Sequence, residues 1–355
     1  MSNPDTILVT GYPSFTAKQL IAHIIEQRPQ DSLIILCASK DERTASEWLD
    51  QLTISPNLRD QHAVVVGDVA SMDLGLAGSE FSTLAEKISS IHHLAQVRFG
   101  GGNEADTYRT NVKGTRNLIA FAHECSRLRR LTHWSSAFVS GKRKGVILED
   151  ERVRGQGFHS HWEETKFEAE MLAAAANTTV PVTIVRPSII VGDSQSGTFD
   201  ASNPTSALLA RAVSTHSGLW PLPAHPSAPV HLVPVDFVTR AALILSIDAR
   251  GAGGTFHLTD SNPLPAKRVF ELLAKHTDRG TPLTMVSPTL ARTVMRTPGL
   301  SRLTRAPRAI IDALDRRCSY NARIAHRILR DYNVHCPAFD EYVEALVAYA
   351  HSVNR

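Results

Sequence analysis

The segment Thr6-Ile7-Leu8-Val9-Thr10-Gly11-Tyr12-Pro13-Ser14-Phe15-Thr16-Ala17 decides the fold. Its first five residues are a short apolar, β-branched run that ends at a glycine, the pattern of a buried parallel strand. Over residues 17–27, Leu20, Ile21, Ile24 and Ile25 then recur at helical spacing. Strand, glycine turn and helix together leave helix N-terminal amides where a pyrophosphate can sit. Only Gly11 frees the backbone in this turn; Ser14 and Ala17 are small enough for close approach. An ordinary strand-to-helix turn has the same appearance.

Working outward, the alternation repeats. Strands are expected at residues 33–38, 63–66, 88–95, 130–135 and 180–185, and helices at 45–52, 107–126 and 163–176. Strict β-α alternation predicts a doubly wound parallel sheet. After Val191 the composition changes. Residues 192–229 are rich in Ser, Pro, Gly and Thr, with a helical insert near 206–213. A strand at 230–235, a helix at 236–247, a strand at 255–258 and a mostly helical tail from Lys267 follow. This divides the chain into a nucleotide-type domain at 1–197, further sheet elements at about 230–260, and a smaller C-terminal lobe within 198–355.

The chain has 355 residues, 43% of them hydrophobic and 21% charged, as in an ordinary globular enzyme. A net charge of +3 implies no nucleic-acid partner. Four scattered cysteines (Cys37, Cys125, Cys318, Cys336) form no CxxC pair, and no Cys/His cluster has metal-ligand spacing, so no metal is expected. Reduced thiols, no signal-peptide pattern and no apolar run of about 18 residues predict a cytoplasmic protein without a membrane span.

Two further positions bear on a nucleotide. Asp68, at the end of the third strand, is placed to hydrogen-bond an adenine amino group; it reads equally as a turn or helix-capping aspartate. The second strand ends Cys37-Ala38-Ser39-Lys40-Asp41. No acid stands at the strand end and Lys40 is close enough to meet a ribose 2′-phosphate, which favours NADP, with NAD as the alternative.

Gly67-Asp68-Val69 followed by Asp73-Leu74-Gly75-Leu76 resembles the GDL…LGL run of fatty acyl-CoA reductases and thioester reductase domains. His93-Leu94-Ala95, Asn111-Val112-Lys113-Gly114-Thr115, Ser135-Ser136-Ala137-Phe138-Val139-Ser140-Gly141 and Arg186-Pro187-Ser188 with Val191-Gly192-Asp193 resemble that family's later motifs. Val233-Pro234-Val235-Asp236-Phe237-Val238 and Phe256-His257-Leu258 extend the series. This ordered series of loose motifs, over roughly residues 5–260, is similar to an extended short-chain dehydrogenase/reductase of the male sterility type. The resemblance implies a Rossmann-like sheet with a smaller, mostly helical substrate lobe. It implies a cofactor site at Gly11, Tyr12, Ser14, Phe15, Thr16, Lys40, Asp68, Val69, Ala95, Asn111, Lys166, Pro187 and Ser188.

It also implies a Ser or Thr, a Tyr and a Lys as catalytic set. Ser136 matches the first and Lys166 the last, but the Tyr position is Trp162, in His161-Trp162-Glu163-Glu164-Thr165-Lys166. An indole N–H donates a hydrogen bond but cannot serve as a catalytic acid or base near neutral pH. Three explanations stand open. His161 or His159 supplies the proton, although each also reads as a surface histidine. The chain binds nucleotide without redox chemistry, as a regulatory or scaffolding protein. Or it catalyses a step on the same fold that needs no Tyr. Gly100-Gly101-Gly102 marks a loop near the expected nicotinamide. Glu163, Glu164, Glu168 and Glu170 read as a solvated helix face.

Ten arginines between residues 290 and 330 (Arg292, Arg296, Arg302, Arg305, Arg308, Arg316, Arg317, Arg323, Arg327, Arg330) read as a solvated basic face. The alternative is a dock for an acidic carrier protein, CoA phosphates or an anionic membrane surface. The expected activity is reduction or oxidation of an acyl thioester, aldehyde or related carbonyl, on a small-molecule or carrier-bound acyl substrate. A homodimer is expected from the resembling family.

Overall fold

The computed structural model describes residues 4–53, 56–97, 101–200, 222–223, 225–277, 285–286 and 316–353. Seven parallel strands form the main sheet: β1 (Thr6–Thr10), β2 (Ser32–Cys37), β3 (His62–Val66), β4 (Ser90–His93), β5 (Arg130–Trp134), β7 (Val182–Pro187) and β10 (Thr255–Leu258), in spatial order β3-β2-β1-β4-β5-β7-β10. Short strands β6 (Gly145–Ile147), β8 (Ile189–Val191), β9 (Leu232–Pro234) and β11 (Cys318–Tyr320) form two separate parallel pairs, β6 with β11 and β8 with β9. Residues 230–235 therefore miss the main sheet. They are apolar on every face because both sides of β9 are buried, which is also what a main-sheet strand looks like.

Helices cover both faces: α1 (Phe15–Gln27), α2 (Glu42–Leu52), α3 (Gly78–Lys87), α4 (Glu104–Tyr108), α5 (Gly114–Glu124), α6 (His161–Ala176) and α7 (Val235–Ile247). Between α4 and α5, Arg109–Lys113 winds as a π-helical turn. The expected helix at 107–126 thus starts earlier and is interrupted. The C-terminal lobe contributes α8 (Ala266–Lys275), α9 (Arg323–Leu329) and α10 (Phe339–Val353). The insert at 206–213 and the arginines from Arg292 to Arg308 lie outside the described residues.

Three apolar clusters hold the layers. One joins β1 and β2 to α1, α2 and α7, and another packs Leu8, Ile91 and Leu131 under α3 and α5. A third joins Phe138 and β8 to α8 and α10, with Trp162 packed against it. The sheet order reverses at β1: the chain leaves it for β2 on one side and returns as β4 on the other. That reversal opens a crevice beyond the strand ends, where ligands of such sheets bind.

Gly11 sets the crevice wall. Its φ is +96°, and a Cβ there would lie 2.7 Å from the Leu94 carbonyl carbon and 2.9 Å from the Ala95 nitrogen. Gly11→Ala is expected to cost about 2–4 kcal/mol, from left-handed strain plus overpacking against rigid backbone. It is also expected to remove nucleotide binding. Urea unfolding and a fluorescence titration with NADPH measure both, and wild-type values in either would refute the assignment.

Candidate nucleotide and active site

A cavity of about 520 Å³ runs along the carboxyl ends of β1, β2, β4, β5 and β7. At one end is the β1–α1 turn. Ser14 caps α1: its backbone N–H donates to Gly11 O at 3.0 Å and its Oγ accepts from Ala17 N at 3.3 Å. Phe15 and Thr16 start the helix with their amides toward the cavity end, and no acidic residue occupies the first turn. This is an anion-accepting terminus. Asp68 lines the same end; its carboxylate accepts from Ala70 N at 2.9 Å and from Arg109 at 3.3 Å. Cys37 and Ala38 line the cavity where β2 ends, and burial, with Asp41 and Glu42 nearby, pushes the Cys37 thiol up to about 11. The thiol is therefore no nucleophile at neutral pH.

The cavity brings together Gly11, Tyr12, Ser14, Phe15, Thr16, Asp68, Val69, Ala95, Ser136, Trp162, Pro187 and Ser188 of the sequence-predicted residues. Ser188 Oγ is buried with no hydrogen-bond partner among the described residues, as a donor awaiting a ligand would be. Four predicted residues do not line it. Lys40 is exposed on a 3₁₀ turn after β2. His161 pairs with Glu164 at 3.4 Å outside the cavity. Asn111 and Lys166 are buried behind the wall.

Those two residues brace the site. Asn111 Oδ1 accepts from Val97 N at 2.9 Å, Val97 O accepts from Trp162 Nε1 at 2.8 Å, Trp162 O accepts from Thr165 Oγ1 at 3.0 Å, and Thr165 Oγ1 accepts from Asn111 Nδ2 at 3.0 Å. This closed ring ties the segment after β4 to the first turn of α6, and it spends the single indole donor of Trp162. Lys166 Nζ donates to Trp134 O at 2.6 Å beneath the floor. Burial drives its pKa down to about 7, against the opposing pull of Glu170.

Behind the floor lies a layer of neutral histidines. His93 bridges Thr10 Oγ1 at 2.9 Å and Thr115 Oγ1 at 3.1 Å, and burial plus Lys166 hold its pKa near about 3. The His133 ring lies 5.7 Å from it, tilted by 40°.

Two sequence readings are corrected. Glu163 and Glu170 are not on a solvated face. Glu170 is fully buried, accepts from Ser135 Oγ at 2.5 Å, and pairs with Arg186 at 2.6 Å. Glu163 is buried against Arg316. Arg316 is therefore not part of a solvated basic face, whereas Arg317, Arg323, Arg327 and Arg330 are exposed. The partners come from distant segments, so helical periodicity around residue 166 carries no trace of them. Sequence reading also missed Phe138 and the β8 residues Ile189, Ile190 and Val191, which line the far end of the cavity. Their continuous apolar character was the available signal.

The family model described as male sterility protein matches residues 9–242. The chain belongs to this family. It is an NAD(P)-binding family with an oxidoreductase, extended short-chain dehydrogenase fold. A fatty acyl-CoA reductase 2 (chloroplastic) of Arabidopsis thaliana is 24% identical over 253 residues, covering 52% of this chain and 41% of that protein. The terminal R domain of the myxalamid PKS-NRPS biosynthetic pathway superposes with a TM-score of 0.83 at 23% identity, covering 100% of this chain and 92% of that one. A thiolation-reductase di-domain from an archaeal non-ribosomal peptide synthetase superposes with a TM-score of 0.76 at 16% identity, covering 100% of this chain and 76% of that one. The chain spans less than half the length of the first curated relatives it matches. No helix among the described residues is long and apolar enough to cross a membrane.

Proposed function

We propose that this chain is an NADP-preferring reductase of acyl thioesters and that its reduction ends at the aldehyde. The observation that carries this is Trp162: an aromatic that cannot act as a general acid lines the cavity with Ser136, and its N–H is held by Val97 O.

The cavity's shape and donors fit a dinucleotide. The α1 amides and Ser14 would hold the pyrophosphate, Asp68 the adenine, and Pro187 with the unpartnered Ser188 hydroxyl the nicotinamide. The absence of an acid at Ala38, where β2 ends, supports NADP over NAD. Bound there, the nicotinamide supplies hydride from C4.

Ser136 donates a hydrogen bond to the substrate oxygen. Once a thioester carbonyl has taken the hydride, the carbon is tetrahedral and carries both alkoxide and sulfur. The alkoxide re-forms C=O, the C–S bond breaks, and the pair leaves on sulfur. The products are an aldehyde and a thiolate, which takes its proton from water because thiols ionise near pH 8.5. No protein acid is needed. An aldehyde that takes hydride has no group to expel; its alkoxide is as basic as hydroxide and needs a positioned acid during the transfer. Trp162 cannot be that acid. Carrier- or CoA-bound thioesters are supported by the names of the similar proteins. A cytoplasmic location and a homodimer belong to the same reading.

A second reading, a catalytically silent nucleotide-binding subunit, is favoured by one observation: Lys166 is sealed under the floor on Trp134 O. Titration with NADPH and NADH, followed by incubation with NADPH and a panel of acyl-CoA thioesters, separates the two. The expected result is NADPH binding, equal amounts of NADPH oxidised and aldehyde formed, and no alcohol. Binding without oxidation selects the silent subunit, and no binding of either nucleotide sinks both.

A further inference from the structure

The cavity has two ends with different neighbours. The nucleotide end is walled by the cluster that contains Tyr12, Cys37 and Leu94. The other end is lined by Phe138, Trp162 and β8, which belong to or pack against the cluster shared with α8 and α10. Phe138, Trp162 and β8 make this part of the wall apolar, which suits an acyl chain, although Asp200, next to Phe199 of the same cluster, also lines the cavity. Behind this wall sits a buried arginine.

Arg316 enters from the C-terminal lobe, just before β11, and is 4% exposed. Its guanidinium carbon lies 3.9 Å from the Phe138 ring centroid. One nitrogen donates to Gly141 O at 3.2 Å and another to Glu163 Oε1. Glu163 in turn accepts from His159 N at 3.0 Å through Oε2, and its own N–H donates to Ser160 Oγ at 3.3 Å. Glu163 is the neighbour of Trp162. One side chain from the C-terminal lobe therefore braces both aromatics of the acyl end, Phe138 by direct contact and Trp162 through the first turn of α6, in addition to their packing against α8 and α10. Its hydrogen-bond and ring partners among the described residues, Gly141, Glu163 and Phe138, are all away from the β1–α1 turn.

The structure assigns to Arg316, with Glu163, the role of a positioning pair that sets the width of the acyl end and hence the acyl chain the protein accepts. This deepens the reductase reading and rests on it. An arginine whose guanidinium carbon sits over a ring while its fork holds a carboxylate cannot be replaced by a flexible, point-charge lysine without loss of one of the two contacts.

The test uses the full chain, with acetyl-, butyryl-, octanoyl- and lauroyl-CoA as substrates. Arg316→Met strands a buried carboxylate, so the double variant Glu163→Gln/Arg316→Met, neutral and similar in volume, is measured beside it. The expected result in both is a changed chain-length preference. KM for the best wild-type thioester rises about ten-fold while KM for NADPH stays within about two-fold. Arg316→Lys recovers part of the preference. An unchanged chain-length profile, or KM values for thioester and NADPH that move together, overturns the assignment.

If the wild type binds NADPH but reduces no thioester, the reductase reading has failed. The pair is then judged by hydrogen exchange in the double variant. Residues 136–141 and 159–165 should lose protection together while β1 and β2 keep theirs, and protection equal to wild type overturns the pair.

Discussion

Replacing Trp162 with tyrosine is expected to let the protein reduce aldehydes to alcohols, with kcat for that step rising by about 10²–10⁴, the usual contribution of a positioned acid. The indole N–H now closes a hydrogen-bond ring with Val97, Thr165 and Asn111. A phenol at this position supplies what the indole lacks, a proton acidic enough to transfer, in the cavity that Ser136 also lines. The thioester step should change far less, because its leaving thiolate needs no protein acid. Trp162→Phe is the control. It frees Val97 O and costs about 1–2 kcal/mol of stability, but it adds no proton and should gain no alcohol. Quantifying aldehyde and alcohol from octanoyl-CoA and from octanal, with NADPH affinity checked in each variant, gives the answer. Alcohol production by the natural protein at a rate matching its aldehyde production would refute the proposal. So would a Trp162→Tyr variant that binds NADPH and gains nothing.

The second large effect is acid instability. Burial is the main cause holding His92, His93 and His257 near about 3, and it holds His133 well below the ordinary value. In the unfolded chain each titrates near 6.5. Between those values the unfolded state binds a proton that the folded state refuses, so stability falls as pH falls below about 6.5. Each group contributes a slope of about 1.4 kcal/mol per pH unit once its unfolded form is charged, and four together give about 5 kcal/mol per pH unit near pH 5. His23, His62, His231 and His326 shift the same way. The raised carboxyls of Glu149 and Asp260 act in the opposite direction and offset part of the loss. Lys166 adds a loss of its own in a different window, from its unfolded value near 10.4 down to about 7, and nothing further below that. Urea midpoints measured from pH 8 to 5 should drop steeply below about 6.5. A midpoint flat across that interval would show that these histidines are charged, or paired, in the fold.

The histidines also show what sequence reading reaches. His93 sits in a motif that identifies the strand, and its place on β4 follows from the apolar run around it. That both of its ring nitrogens meet threonines, at Thr10 and Thr115, depends on strands far apart in sequence lying side by side. The same holds on α6. Lys166 and Ser136 are legible as motif positions, yet the lysine amine ends beneath the floor because Trp134 O is the acceptor within reach. Glu163 and Glu170 look solvated by composition and are buried, because Arg316 and Arg186 arrive from other segments. Lys40 looked close to a phosphate by chain distance, but the 3₁₀ turn after β2 leaves it exposed outside the cavity lining.

Two properties are local, and the sequence by itself determined them: the succession of parallel strands and helices, through the spacing of apolar residues, and the nucleotide turn, through Gly11 and the capping Ser14. Backbone conformation and burial periodicity act over a few residues, so they are written along the chain. The acyl end was decided by tertiary structure alone. Phe138, Trp162 and β8 converge there, and Arg316 stacks behind them after a separation of 153 residues from Glu163. Pairing a buried charge depends on where the sheet order and the C-terminal lobe bring its partner, and no local pattern encodes that distance.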